Sequence, residues 1–166
     1  MKTRIYRSFT VCAAFISAAL LVTHPAQAAV ANSNFNVTAT VVASCQIATT
    51  DMAFGNYSGV QLDGISTVTA TCTNTTPYTI GLSAGTFAGA TVTTRRMTGP
   101  AAAGLPYSLF REAGRTTNWG VTIGTDTVAG TGNGAAQPIT AYGRISAGQF
   151  ASPGSYSDTI TATLTY

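Results

Sequence analysis

Few residues in this 166-residue chain are of types that carry out chemistry. They are three cysteines (Cys12, Cys45 and Cys72), one histidine (His24), and the carboxylates Asp51, Asp63, Glu112, Asp126 and Asp158. A Ser-His-Asp or Cys-His centre needs an imidazole beside its nucleophile, and a structural zinc site needs four cysteine or histidine ligands. Neither set survives inspection of the first 28 residues. Lys2, Arg4 and Arg7 form a basic start, residues 9–22 an apolar run, and Ala26-Gln27-Ala28 a small-residue cleavage site, the pattern of a secretory signal peptide. The run is about 14 residues, too short for a membrane-spanning helix, and no later stretch is longer, so no integral membrane segment is expected in the mature chain. Cys12 lies within the run rather than at the cleavage junction, so no lipoprotein anchor is read. His24 and Cys12 leave with the leader.

Setting aside residues 1–28 of the 166 leaves 138, enough for one domain with a single core. The formal charge of +3 belongs to the precursor. What remains is Arg95, Arg96, Arg111, Arg115 and Arg144 against the five carboxylates, a neutral chain without lysine. It lacks the basic stripe that tracks phosphates, so nucleic acid is not an expected partner. A carboxylate pair, as in glycosidases, is the one hydrolytic option left. Asp51, Asp63 and Asp126 sit in loop-like sequence where Asp serves turns, and Glu112 neighbours Arg111 and Arg115. The chain therefore reads as non-enzymatic, with no metal and no cofactor. Cys45 and Cys72, an even pair in an exported chain, are expected to be bonded. Such a bond would restrict the unfolded chain by about 3–4 kcal/mol in the entropy model. The alternative is two free thiols packed as small hydrophobes.

The elements that carry these residues read as strands. Threonine supplies 27 of the 138 mature residues, and no helical period appears. Strands are expected at 35–47, 66–73, 78–83, 105–111, 119–123, 139–145 and 156–166, with turns at Asp63-Gly64, Thr98-Gly99-Pro100, residues 130–134 and Ser152-Pro153-Gly154. Short strands in this arrangement predict an antiparallel β-sandwich of immunoglobulin-like type. In the last strand Ile160, Ala162, Leu164 and Tyr166 alternate with Thr159, Thr161, Thr163 and Thr165 up to the final residue. An edge left there needs a covering strand from another chain. At the other end Phe35, Val37, Ala39, Val41, Ala43, Cys45 and Ile47 keep one apolar parity, a stretch of about 43 Å and about twice a common strand. The economical division gives the part around Cys45 to the home domain and residues 32–41 to another molecule. The alternative is a long strand that crosses between the sheets of its own domain.

Several residues have plainer readings. Asp158 shares parity with Ile160 and Leu164 and is expected at the rim, accepting hydrogen bonds from the preceding turn. Arg95-Arg96 reads as a solvated loop pair rather than a ligand clamp. Trp119 and Tyr107 could offer a sugar-stacking surface, but single aromatics in strands belong more often to a core. Asn36, Asn56 and Asn74 each begin an Asn-x-Ser/Thr triplet, which chance supplies readily in so threonine-rich a chain.

Cys45, Phe54-Gly55-Asn56-Tyr57, residues 68–72, Pro77-Tyr78-Thr79-Ile80, residues 105–111, Tyr142-Gly143-Arg144-Ile145 and residues 154–159 follow one another in an order and spacing that resembles the spore coat protein U domain family. Subunits of archaic chaperone-usher pili belong to that family, and the resemblance covers essentially the whole mature chain. It implies an incomplete immunoglobulin-like antiparallel β-sandwich with an apolar groove beside its C-terminal strand. A periplasmic chaperone would fill the groove first. The N-terminal extension of the next subunit would replace it at the outer-membrane usher, a β-strand addition. Carried onto this chain, Phe35, Val37, Ala39 and Val41 become the donor plugs, and Ile160, Leu164 and Tyr166 line the acceptor and chaperone-contact side. The implied organisation is a leader (1–28), a donor-strand extension (29–41) and a pilin domain (42–166), exported through the periplasm to an extracellular pilus that supports adhesion and biofilm. Two other readings stay open: a cell-surface or spore-coat structural protein that forms no fibre, and a single-domain carbohydrate-binding adhesin.

Overall fold

A computed structural model of the protein describes residues 27–166, so nearly all of the expected leader lies outside the described residues. The chain divides between Thr38 and Ala39 into two units, three residues before the expected boundary after residue 41. Residues 27–44 carry no helix or strand, and each of them is exposed. The alternating apolar residues from Phe35 to Ala43 therefore form no strand, because no backbone ladder is paired to them. Only the end of the expected 35–47 strand is realised, as β1 (Cys45–Thr49).

Eight further strands follow among the described residues: β2 (Leu62–Cys72), β3 (Pro77–Leu82), β4 (Arg96–Thr98), β5 (Gly104–Pro106), β6 (Ser108–Phe110), β7 (Val128–Thr131), β8 (Ala136–Ile145) and β9 (Ala162–Thr165). All pair antiparallel. One sheet has the order β1-β2-β8-β6, the second β7-β3-β9, and β4-β5 form a small ribbon. A 3-10 turn, Pro100–Ala102, links β4 to β5. The architecture is an incomplete immunoglobulin-like antiparallel β-sandwich.

The inner faces follow the two-residue period of a half-buried strand. Val68, Ala70 and Cys72 of β2, Ala141 and Ile145 of β8, and Tyr78, Ile80 and Leu82 of β3 are buried, with Leu105, Tyr107, Leu109 and Trp119 completing the core. The intervening threonines of β2 face outward and stay partly exposed. At the far end of the β2–β8 ladder Gly64 stands opposite Gly143. A Cβ at Gly143 would run into the Met52 thioether and the Phe54 ring, so this glycine opens the space in which the segment after β1 lies on the sheet. Phe54 packs edge-on to Tyr107, ring centroids 6.2 Å apart.

Three further expected strands change. The 105–111 strand breaks at Tyr107, whose N–H turns to the Arg95 carbonyl (3.1 Å). Its halves become β5, paired to β4, and β6, paired to β8. Residues 119–123 form no strand, because Gly120 N–H and Thr122 N–H donate to the Asp126 carbonyl and carboxylate in a local loop. In 156–166 only residues 162–165 find a ladder partner, on β3. Ser157 makes an isolated bridge to Thr98. β7 occupies part of the glycine-rich stretch read as a turn, since the edge of β3 gives it a ladder.

Candidate functional site

β9 is the edge strand of its sheet: β3 pairs with one side, and no strand pairs with the other among the described residues. Beside it runs a groove of about 490 Å3. One wall is residues 49–54, leaving β1, and the other is residues 156–162, entering β9. Its floor is the core itself: Val68, Leu82, Leu109 and Ala141, each nearly fully buried, reach the groove with Met97 and Tyr107. The two sheets thus fail to close along one side. An unpaired ladder lies next to an apolar floor, which is the chemistry that accepts a further strand.

Of the three residues expected on the acceptor side, Ile160 lines the groove together with Ala162. Leu164 stands opposite Ile80 on β3 and packs against the core. Tyr166 is 60% exposed, and neither it nor Leu164 belongs to the lining. The expected donor residues are all exposed: Phe35 by 85%, Val37 by 83%, Val41 by 87%, and Ala39 with them.

Asp158 sits at the rim, but its donors are not those of the preceding turn. Its Oδ1 accepts from Thr86 N–H (2.7 Å), Thr86 Oγ1 (2.9 Å) and its neighbour Thr159 N–H (2.8 Å), and its Oδ2 from the Tyr107 phenol (2.7 Å). The carboxylate therefore ties the groove wall to the loop after β3 and to the core. Burial, then this bond and the Asp158 charge, pushes the Tyr107 phenol far above its ordinary value.

The Arg95-Arg96 pair divides, against the sequence expectation. Arg96 is exposed, its guanidinium 5.9 Å from the Phe87 ring centroid. Arg95 is 0% exposed. Its Nε donates to Ser83 O (2.8 Å), Nη1 to Val92 O (2.7 Å), and Nη2 to Leu82 O (2.8 Å) and Trp119 O (2.7 Å). It gathers carbonyls from the end of β3 and two loops that have no ladder of their own, a task suited to a planar five-donor fork. Burial lowers its affinity for the proton, yet arginine stays charged at any ordinary pH. Burial of a charged residue at this position carries no signal in the local sequence.

Cys45 and Cys72 are bonded. They stand directly opposite in the β1–β2 register, so the bridge fastens the first residue of β1. Trp119 and Tyr107 are core residues, Trp119 Nε1 donating to Ile80 O (2.8 Å), and they form no surface for a sugar. Most of the other carboxylates have structural partners. Asp63 receives a two-pronged bond from Arg144 (2.7 and 2.9 Å), which holds its carboxyl below the usual range, and Glu112 Oε1 binds Thr116 and Thr117 N–H. Asp126 binds Thr122 N–H, and Asp51 lies on the groove wall.

Comparison with known proteins extends this picture. Residues 31–163 match the model of the Spore Coat Protein U domain. Protein U of Myxococcus xanthus is 35% identical over an alignment of 173 positions, taking in 94% of this chain and 96% of that protein. A chain of the CsuC-CsuE chaperone-tip adhesion subunit pre-assembly complex, from the archaic chaperone-usher Csu pili of Acinetobacter baumannii, has the same fold with a TM-score of 0.58 and 21% identity. The match covers 76% of this chain and 41% of that one.

Proposed function

The chain belongs to the Spore Coat Protein U domain family, and on that premise we propose that it is a structural subunit of a chaperone-usher fibre, polymerised by strand donation. The observation that carries this reading is the unpaired side of β9 beside a groove floored by core residues. An isolated domain with such an opening exposes apolar surface and free ladder groups together, and a strand that fills it satisfies both. The exposed segment containing Phe35, Val37, Ala39 and Val41 supplies the matching alternation in a second copy. Burying three or four of these side chains is worth on the order of 5–10 kcal/mol before ordering costs. A head-to-tail contact of this kind does not close on itself and yields a filament.

The fold likeness to a chain of a chaperone-subunit complex supports a periplasmic chaperone as the groove's first occupant; exchange at an outer-membrane usher is the further step of this reading. On this reading the protein is structural rather than enzymatic, passes through the periplasm, and stands on the cell surface in a pilus that supports adhesion and biofilm. The test compares the mature protein with a form lacking residues 29–41. The full chain should give SDS-resistant ladders, and the shortened one an unstable monomer that a peptide of residues 32–41 rescues. Two equally stable monomers would sink the reading.

The likeness to Protein U along nearly the whole chain, within a family named for spore coats, favours a second reading, a surface or coat protein that forms no fibre. Electron microscopy of surface material separates the two: extended filaments support the first, an amorphous layer the second.

A further inference from the structure

Arg95 poses a problem of charge. Buried cations are ordinarily paired, yet no carboxylate lies within ion-pair distance of it among the described residues. The two carboxylates whose fields reach it are Asp126 and Asp158. Asp126 is taken up by Thr122 N–H, and Asp158 by Thr86, Tyr107 and Thr159. Four of the five guanidinium N–H groups have carbonyl partners, and the fifth, on Nη1, has none among the described residues.

Arg95 also lines a second depression, of about 220 Å3, built by the segment 93–96, the β5–β6 break and the loop after β8. No acidic residue lines it, while two arginines do, in a mature chain where arginine and carboxylate otherwise balance. Arg96 makes no hydrogen bond or ion pair, and the hydroxyls of Ser108 and Ser146 donate to and accept from no partner, among the described residues. Gln149 turns its Nε2 to Pro106 O (3.0 Å), which leaves its Oε1 for a ligand. The walls are fixed before anything binds. Tyr57 OH donates to Ser146 O (2.8 Å) and accepts from Gln149 N–H (2.9 Å), while Tyr107 N–H holds Arg95 O. Preorganised donors of this kind lower the cost of binding.

We propose that this depression binds an anionic saccharide, one uronic-acid unit of an acidic polysaccharide at a time. The Arg96 fork, which rests 5.9 Å from the Phe87 ring centroid and has no hydrogen-bond partner among the described residues, matches a carboxylate two-pronged, and the positive field of Arg95 favours the same charge. A bare anion would use the Arg96 guanidinium alone. The hydroxyls of Ser108 and Ser146, each both donor and acceptor, and the Gln149 carbonyl oxygen match the hydroxyls of a sugar ring. The volume lies below the about 300–1,000 Å3 that encloses a drug-sized ligand, and suits a single ring. Next along the chain from Gln149, Phe150 is wholly exposed and offers a neighbouring ring of the polymer an apolar face. A lysine-free surface supplies no track for a more highly charged polymer such as nucleic acid.

The proposal does not depend on strand donation and is tested on the purified protein by calorimetric titration with four probes. These are an oligogalacturonate, a neutral galacto-oligosaccharide of equal length, sodium acetate and inorganic phosphate. The oligogalacturonate should bind saturably and at least about tenfold more tightly than the other three. Arg96→Ala and Ser146→Asp should each weaken it about tenfold with the melting temperature unchanged, and Arg96→Lys should recover part of the loss. Equal binding of the neutral oligomer overturns the role of charge. Equal binding of acetate or phosphate reduces the site to a general anion site, and undiminished binding by Arg96→Ala, or no binding at all, overturns the assignment.

Discussion

Tyr107 donates its phenolic hydrogen to Asp158 Oδ2 at 2.7 Å, a bond between the core and the wall of an open groove. Together with the isolated Ser157–Thr98 bridge, it holds the stretch before β9, which has no ladder. Asp158 also gathers Thr86 and Thr159, so one side chain anchors residues that a neighbouring strand would otherwise fix.

Tyr107→Phe removes one of those donors and leaves Asp158 its others. The expected cost is about 1–2 kcal/mol, read as a lower urea midpoint with an unchanged slope. Asp158→Ala strands the buried phenol and three further donors, and should cost about 3 kcal/mol. Equal losses in the two variants would show that the phenol, not the carboxylate, organises the wall.

The same bond fixes a pH dependence. Burial, followed by the bond and the charge of Asp158, raises the Tyr107 phenol above its ordinary value of 10.0. The folded state then holds this proton more tightly than the unfolded one, so the contribution is complete below pH 10 and declines as pH rises beyond it. Denaturation midpoints followed from pH 9 to 11 should fall more steeply in the natural protein than in Tyr107→Phe. Parallel slopes would contradict this account.

Arg95→Lys retains the charge and loses the fork. One ammonium cannot reach the carbonyls of Leu82, Ser83, Val92 and Trp119 together. At about 1–3 kcal/mol for each buried group left without a partner, the loss should exceed about 3 kcal/mol. Chemical denaturation and export yield measure it, and a loss under about 1 kcal/mol would show that water serves those carbonyls equally well.

Reducing the bridge between Cys45 and Cys72, 27 residues apart, should cost about 3.5 kcal/mol in the entropy model. The double variant Cys45→Ala/Cys72→Ala should match the reduced protein. If the oxidised and reduced forms melt together, β1 is held by its ladder alone.

Val37→Asp places a charge on a residue that is 83% exposed, so the folded monomer should keep its melting temperature. If residues 32–41 fill the groove of a second copy, the same change buries that charge at the joint, and SDS-resistant ladders should disappear. Persistent ladders would place the donor elsewhere.

The sequence shows most clearly what repeats. β3, β8 and β2 from residue 66 onward are legible because their alternation buries one face, whereas Asp63-Gly64, expected as a turn, lies inside β2 because β8 gives it a ladder. β4, with three residues, is too short to show a period. The glycines of β7 read as a turn because the reason for a strand there lies on the facing edge of β3. Arg95 was hidden for a related reason: its partners are carbonyls, which every residue possesses, so no side-chain pattern announces them. The groove was only half legible. Parity placed Ile160 on the inner face, but Met97, Tyr107 and the 49–54 wall come from distant parts of the chain. The opposed glycines Gly64 and Gly143 make room for that wall, and only the register reveals that they meet.

The bridge at the first rung of β1 also decides how the domain bears tension. A pull on the backbone before Cys45 would otherwise open the β1–β2 ladder rung by rung, like a zip. The bond passes the load at once to Cys72, at the end of a strand held to β8 by ten successive pairs. Force applied at the start of β1 is thus borne by the ten pairs of the β2–β8 ladder rather than by the five of β1.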